Sequence, residues 1–440
     1  MNHEKHEIHE KKSEGLVPGL RFPEFREAGE WKIDILKNIS PSIFDGTHQT
    51  PKYIESGIPF FSVENIVSGN KNKFISREDY LVATSKNKPE KGDILITRIG
   101  NIGYSVVINW DYEFSIYVTL AVVKKSVNFN SNFLNCYFQS KRYQVELHSK
   151  SLLNAVPCKI NMDELRKTEV LLPTEKEQQK IADCLSSLDE LITAEAQKID
   201  TLKAHKKGLM QQLFPAEGET VPGLRFPEFR DAGEWEVKQL IDVSDKKTKW
   251  SFIGGPFGSN LKSSDYVADG IRIIQLQNIG DAEFFDDYKI FTSEEKADEL
   301  LANNIYPGEI ILSKMGDPVG RACLIPYKHA RYVMCSDGIR LVVDEKAYSK
   351  YFIYTLINSI QFRALVEKTA TGSTRKRIGL DDLKNLPMVV PKPEEQQKIA
   401  DCLSSLDELI TAEAQKLDTL KAHKKGLMQG LFPSADEVGV

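Results

Sequence analysis

Residues 177–215, EQQKIADCLSSLDELITAEAQKIDTLKAHKKGLMQQLFP, recur at 395–433 as EQQKIADCLSSLDELITAEAQKLDTLKAHKKGLMQGLFP. Across 39 positions the copies differ only at Ile199/Leu417 and Gln212/Gly430. Apolar residues fall at Ile181, Leu185, Leu188, Ile192, Ile199, Leu202, Leu209 and Leu213, three and four apart with positions skipped. That is the a/d spacing of a coiled-coil seam. The copy supplies Ile399, Leu403, Leu406, Ile410, Leu417, Leu420 and Leu427. Glu195 and Lys206 fall on seam positions and interrupt it, while Pro173 and Pro215 are stop signals. About 36 helical residues would span ~55 Å at 1.5 Å per residue. That is about three times an ordinary globular helix, so each copy measures or bridges something.

A second repeat precedes each helix: VPGLRFPEFREAGEW at 17–31 and VPGLRFPEFRDAGEW at 221–235. The chain is two half-molecules in tandem, each a lead-in motif, a variable block (32–176 and 236–394) and a long helix. The returning chain predicts antiparallel packing of the helices. The variable blocks would then lie at opposite ends of a rod, about a pseudo-two-fold axis. The expected order is a disordered arm (1–16), a first variable domain (17–172), helix (173–215), linker (216–220), second variable domain (221–390), helix (391–433) and tail (434–440).

Composition sets the class. The chain has 440 residues, 41% hydrophobic and 28% charged, with a formal net charge of −5, as in ordinary soluble proteins. The net charge carries no signal for nucleic acid, so any DNA contact must come from local basic patches. No run of 18 apolar residues and no apolar N-terminal signal region occur, which argues for the cytoplasm over membrane or export. The six cysteines (136, 158, 184, 323, 335, 402) form no CxxC pair and read as reduced thiols. In the arm MNHEKHEIHEKKSE (1–14), His3, His6 and His9 have nothing rigid to hold them on a metal, so no metal site is expected.

The blocks mix strands and helices. Residues 58–66, 93–99 and 104–110 read as strands and 132–149 as an amphipathic helix. The second block echoes this plan at 271–279, 308–316 and 350–370. Its extra length falls mainly before its first strand, around 254–264. An α/β fold kept while its loops change is the pattern of a variable binding surface.

The glycine-rich stretch GGPFGSNLKSS (254–264) lacks the GxxxxGK(S/T) spacing of a phosphate loop. It reads instead as a loop pressed against a nucleic-acid backbone, offering Ser259, Asn260 and Lys262. The equivalent loop FDGTHQTPKY (44–53) offers Thr47, His48, Gln49, Thr50 and Lys52. His48 as a general base would need a carboxylate partner that the sequence does not identify. TGSTRKR (371–377) is the sharpest basic element; Ser373, Thr374, Arg375, Lys376 and Arg377 can grip phosphates or read guanine, the alternative being a solvated charged turn. The first block has LLNAVPCK (152–159) there and keeps only Lys159. Arg98 and Asn101, with Lys314 and Arg321, follow matching strands and are expected to face DNA. Asp93 and Glu309 are explained by turn chemistry. Catalytic patterns are missing: no (D/N/S)PP(Y/F/W) or FxGxG for adenine methylation, no Walker A and no HExxH.

Two divergent blocks alternating with two near-identical helices resemble the specificity (S) subunit of type I restriction–modification enzymes. The resemblance covers residues 17–433. It is carried by the repeated helix with its TAEA segments (193–196, 411–414) and by DGTHQTP, NIVSGN, GPFGSNLK and GSTRKR. It implies that each block is a target-recognition domain reading half of a split DNA sequence. The helices would space the halves and dock methyltransferase (M) subunits, two being expected, with motor-nuclease (R) subunits completing the restricting complex. It also implies that this chain has no catalytic centre, and that S-adenosylmethionine, ATP and Mg are bound by the partners. The rivals are a fused enzyme carrying its own chemistry and a scaffold that never touches DNA.

Overall fold

The computed structural model describes residues 16–373 and 375–434; the expected arm, with His3, His6 and His9, lies outside the described residues apart from Leu16. The chain divides into two compact units, one comprising residues up to 196 together with those from 415 onward, the other residues 197–414. The cuts after Ala196 and Ala414 fall at the same position of the repeated helix. The stretches 173–215 and 391–433 therefore do not stand apart as blocks of their own. Each unit takes one variable domain, the N-terminal half of the helix that follows it and the C-terminal half of the other.

The long helices run Glu175–Leu213 and Pro393–Gly430. In the first unit, Lys424 donates to Asp189 at 2.6 Å and Lys416 pairs with Glu195 at 2.7 Å. One number climbs as the other falls, so these segments run antiparallel. In the second unit Lys206 meets Asp407 at 2.5 Å and Lys198 meets Glu413, again antiparallel. Each helix is acidic in its first half and carries KAHKK in its second, so antiparallel pairing sets opposite charges side by side.

Several residues expected on a seam lie in the domain cores. Ile181 and Leu185 belong to the core of the first unit with Trp31, Phe133, Leu431 and Phe432, and Leu427 packs against it. Ile399 and Leu403 join Trp235, Phe352, Leu213 and Phe214 in the second, with Leu209 against it. The ends of each helix are thus domain-core elements. Leu188 and Ile199 are buried, and Ile192, Leu202, Leu406, Ile410, Leu417 and Leu420 are half-buried.

The lead-in motif explains its own repetition. Arg21 reaches both oxygens of Glu177 at 2.7 Å and the carbonyl of Gly29 at 2.6 Å. Arg225 does the same with Glu395 and Gly233 at the same distances. The guanidinium fork matches a carboxylate bidentately, so motif and helix start are kept together in both copies.

The variable domains share one frame. A four-stranded antiparallel sheet has the order Ile43–Asp45, Leu120–Val123, Ile94–Thr97, Ser105–Val107 in the first unit. Phe252–Gly254, Gly338–Leu341, Ile310–Ser313 and Ala322–Leu324 repeat that order in the second. Beside it, Ile58–Phe61 pairs parallel with Ser115–Ile116, as Ile271–Ile274 does with Tyr332–Met334. Lys32–Ile35 with Glu169–Leu172, and Glu236–Gln239 with Pro387–Val390, close each domain at the base of its helix. The class is α/β in two tandem copies.

Three elements differ from the expectation for one reason: a serine that can cap a helix. The strand at 58–66 ends at Phe61 because Ser62 opens the helix Val63–Ser68, Asn65 accepting from the Ser62 amide at 3.0 Å. The helix at 132–149 is two, Ser131–Phe138 and Lys141–Ser149, the Ser140 hydroxyl accepting from Tyr143 N at 3.4 Å. Ser359 does the same between Lys350–Ile357 and Ile360–Thr369. No described helix is long and apolar enough to cross a membrane.

Candidate nucleic-acid interface

In each unit three loops are drawn together by one backbone clamp. The first leaves the edge strand of the four-stranded sheet through a glycine. Gly46 N donates to Leu120 O at 3.3 Å, and a Cβ on Gly46 would stand 2.1 Å from Ile116 O. Gly255 N donates to Gly338 O at 2.7 Å, and its Cβ would stand 1.7 Å from Cys335 O. Only glycine allows that approach. The second loop is held by Arg98 N on Thr119 O and Ile160 N on Arg98 O, both 2.9 Å. Its counterpart is Lys314 N on Asp337 O at 2.6 Å and Ile378 N on Lys314 O at 3.0 Å.

The third loop is a closed finger. Leu152 N donates to Lys159 O at 2.7 Å, and Gly100 N to Cys158 O at 2.8 Å. In the second unit Thr371 and Arg377 exchange bonds of 2.9 and 2.8 Å, and Met315–Gly316 pairs with Lys376–Arg377. The sequence-predicted loops therefore meet in both units, as one cluster per unit.

Side chains on the first cluster divide into display and support. His48, Gln49, Thr50, Lys52 and Asn101 are exposed, and Thr47 and Lys159 are half-buried. His48 Nε2 lies 3.1 Å from Asp45 Oδ2, the carboxylate the sequence did not identify. Arg98 is a correction. Expected to face DNA, it is only 7% exposed. Its Nη1 donates to Asp45 Oδ2 at 3.1 Å and Val118 O at 2.9 Å, and Nε to Ile160 O at 3.3 Å. Burial lowers its pKa and the Asp45 charge opposes that shift. A guanidinium with several internal acceptors holds the loop that carries His48; it does not present itself to a ligand.

In the second cluster Ser259, Asn260, Lys262, Ser373 and Arg375 are exposed, while Lys314 and Arg321 are half-buried. Thr374 lies outside the described residues. The grip expected from three adjacent cations is reduced. Arg377 donates to Asp337 at 2.6 Å and Lys376 pairs with Glu367. Of the three, Arg375 alone has no ion pair among the described residues.

Three features escaped the sequence. Asp45 and Asp337 neutralise cations far away in the chain, a pairing no local pattern signals. Phe257, 80% exposed on the loop with Ser259 and Asn260, stands where a core aromatic would not. The first unit's finger carries exposed Leu153 and Val156. An aromatic or aliphatic residue inside a polar, glycine-rich or closed loop was the available cue. Asp93 and Glu309 behave as turn residues, accepting from Glu90 N at 2.7 Å and Tyr306 N at 2.9 Å.

Both variable domains match the family model for the type I restriction modification DNA specificity domain, at residues 34–204 and 232–422. The chain is 23% identical over 421 residues to the type I restriction enzyme MjaVIII specificity subunit of Methanocaldococcus jannaschii, covering 94% of this chain and 93% of that one. It is 24% identical over 418 residues to the putative MjaX specificity subunit of the same organism, covering 92% and 93%. The crystal structure of a type I restriction–modification S subunit from M. genitalium shares the fold, with a TM-score of 0.56 at 16% identity over 95% of this chain and all of that one. A chain from a study of type I assembly and conformational transition gives 0.56 at 15% identity, covering 92% of this chain and 98% of that one.

Proposed function

Because the chain belongs to the type I restriction–modification DNA specificity family, whose domain it carries twice, we propose that each loop cluster reads one half of a bipartite DNA sequence. The observation that carries this is the shared clamp. The Arg98 and Lys314 backbones make the same two hydrogen bonds, yet the loops they hold display different side chains. A constant frame with variable display is what two readers of unlike half-sites require. Hydroxyls, amides and cations on these loops suit phosphate oxygens and base edges.

The chain is a DNA specificity subunit, and in this reading it supplies no chemistry of its own. Two methyltransferase subunits dock on the helices, whose length sets the half-site spacing, and motor-nuclease subunits join the restricting complex. S-adenosylmethionine, ATP and Mg belong to those partners, and the assembly works in the cytoplasm. Sequencing methylated bases in a host that carries this chain with its methyltransferase subunit tests the proposal. One split motif, modified on both strands, is expected. An unsplit motif overturns it.

A further inference from the structure

The two fingers occupy the same place in their units but carry opposite chemistry. Each is closed by paired backbone bonds and tied to the loop that follows the matching strand. The second unit's finger, Thr371–Arg377, presents Ser373 and Arg375. The first unit's finger, 152–159, presents Leu152, Leu153 and Val156, the last 99% exposed. Its polar side chains are the exposed Asn154 between Leu153 and Val156 and the half-buried Lys159 at the base. We propose that the first unit's finger reads an A·T base pair through the thymine methyl group in the major groove, with Val156 and Leu153 as the contacting side chains. The inference rests on the DNA-reading function proposed above and adds the base class that one finger takes.

Exposed aliphatic groups at the tip of a tied loop gain nothing from water and bury no core. Among base edges in the major groove, the apolar feature is the thymine 5-methyl, and aliphatic side chains contact it. The charge setting supports a nucleic-acid occupant over a protein one. The tip lies on the cluster that also displays His48, Lys52 and Asn101, with Lys159 at its root to meet a phosphate. By the same comparison, the second finger's exposed Arg375 suits guanine or phosphate, so the two fingers select different bases from one scaffold.

Uracil differs from thymine only by the missing methyl, which makes it the probe. The chain, assembled with its methyltransferase subunits, is titrated against duplexes in which each thymine of the target is replaced in turn by uracil. At one thymine pair of the half-site that does not change when the second domain is exchanged, binding should weaken about fourfold, the worth of one buried methyl group. Val156→Ser, at a fully exposed position that leaves the core intact, should remove that sensitivity and leave uracil effects elsewhere unchanged. If specific binding persists with no uracil effect in that half-site, or with one that Val156→Ser leaves intact, the finger assignment is wrong and DNA reading stands. Loss of all sequence preference in the unaltered assembly would overturn both. Weakened methyltransferase assembly in Val156→Ser, with no change in uracil sensitivity, would assign the finger to protein contact and overturn the proposal.

Discussion

Arg21 holds Glu177 through two parallel bonds of 2.7 Å, and Glu177 is only 1% exposed. The hydrogen bonds to Glu177 raise the Arg21 pKa, so the guanidinium keeps its charge. Arg21→Ala would leave a buried carboxylate without its partner, at a cost of about 3–5 kcal/mol. Arg21→Lys loses the bidentate fork and recovers only part of that. A double change, Arg21→Met with Glu177→Leu, should be less damaging than Arg21→Ala alone. Urea unfolding of the three variants measures the order; equal stability of Arg21→Ala and the native chain would show that the clip is inert.

The two glycines under the recognition loops give a sharper steric test. Gly255→Ala sets a Cβ 1.7 Å from the backbone oxygen of Cys335, which cannot yield as a side chain could. A loss of about 1–3 kcal/mol, with loss of half-site binding, is expected. Gly258, three residues on, has nothing within 4 Å of its Cβ position. Gly258→Ala should stay within about 0.5 kcal/mol of the native chain. A destabilised Gly258→Ala with a tolerated Gly255→Ala would reverse the assignment of the close approach.

Arg375 and Arg377 should separate. Arg375 is exposed with no ion pair among the described residues, whereas Arg377 is tied to Asp337 at 2.6 Å. Arg375→Ala is expected to weaken DNA binding by ~1–3 kcal/mol, the worth of one good contact. A lower salt slope would identify phosphate, and relaxed preference at one base would identify guanine. Arg377→Ala should act mainly through the finger, since it frees Asp337 next to the Lys314 clamp. Binding isotherms at two salt concentrations distinguish the two.

How much of this could be read from the sequence depended on the distance over which information had to travel. The long helices were legible because a 39-residue repeat with periodic leucines states its own period. The loops were legible because glycine, hydroxyl and cation cluster locally. What failed needed tertiary knowledge. Arg98 and Asp45 stand 53 positions apart, and nothing near either announces that they meet. Ile181 and Leu185 fit a seam equally well as a domain core, and the chain decides between them by folding Leu431 and Phe432 onto them. Ser140 sits inside an amphipathic pattern that conceals its role as a cap.

Modularity follows from the partition of the cores. The core around Trp235 contains only residues of the second unit, and that around Trp31 only residues of the first. Exchanging residues 236–390 for another block should therefore change one half of the DNA target and leave the other intact. The Arg225–Glu395 clip lies outside the exchanged segment and is retained. Methylated-base sequencing of the hybrid reads the outcome, and a change in both halves would overturn independent reading.

The helices as a ruler provide the last test. The ion pairs lie on both sides of the repeat position at which the units divide: Asp189–Lys424 and Glu195–Lys416 in one, Lys198–Glu413 and Lys206–Asp407 in the other. Inserting four residues after both Ala196 and Ala414 lengthens the two helices at equivalent points and leaves every one of these pairs within its own unit. Four residues add ~6 Å at 1.5 Å per residue. They also nearly preserve the faces, since four is close to one turn of 3.6 residues. Base pairs rise ~3.4 Å, so the spacer of the target should grow by about one or two base pairs while both half-sites stay the same. Inserting two residues at each point instead turns the outer half of each helix by roughly half a turn relative to its inner half, and should lower stability sharply. Methylated-base sequencing gives the spacer and thermal unfolding gives the stability. An unchanged spacer in a well-folded four-residue variant would mean that something other than helix length fixes the separation.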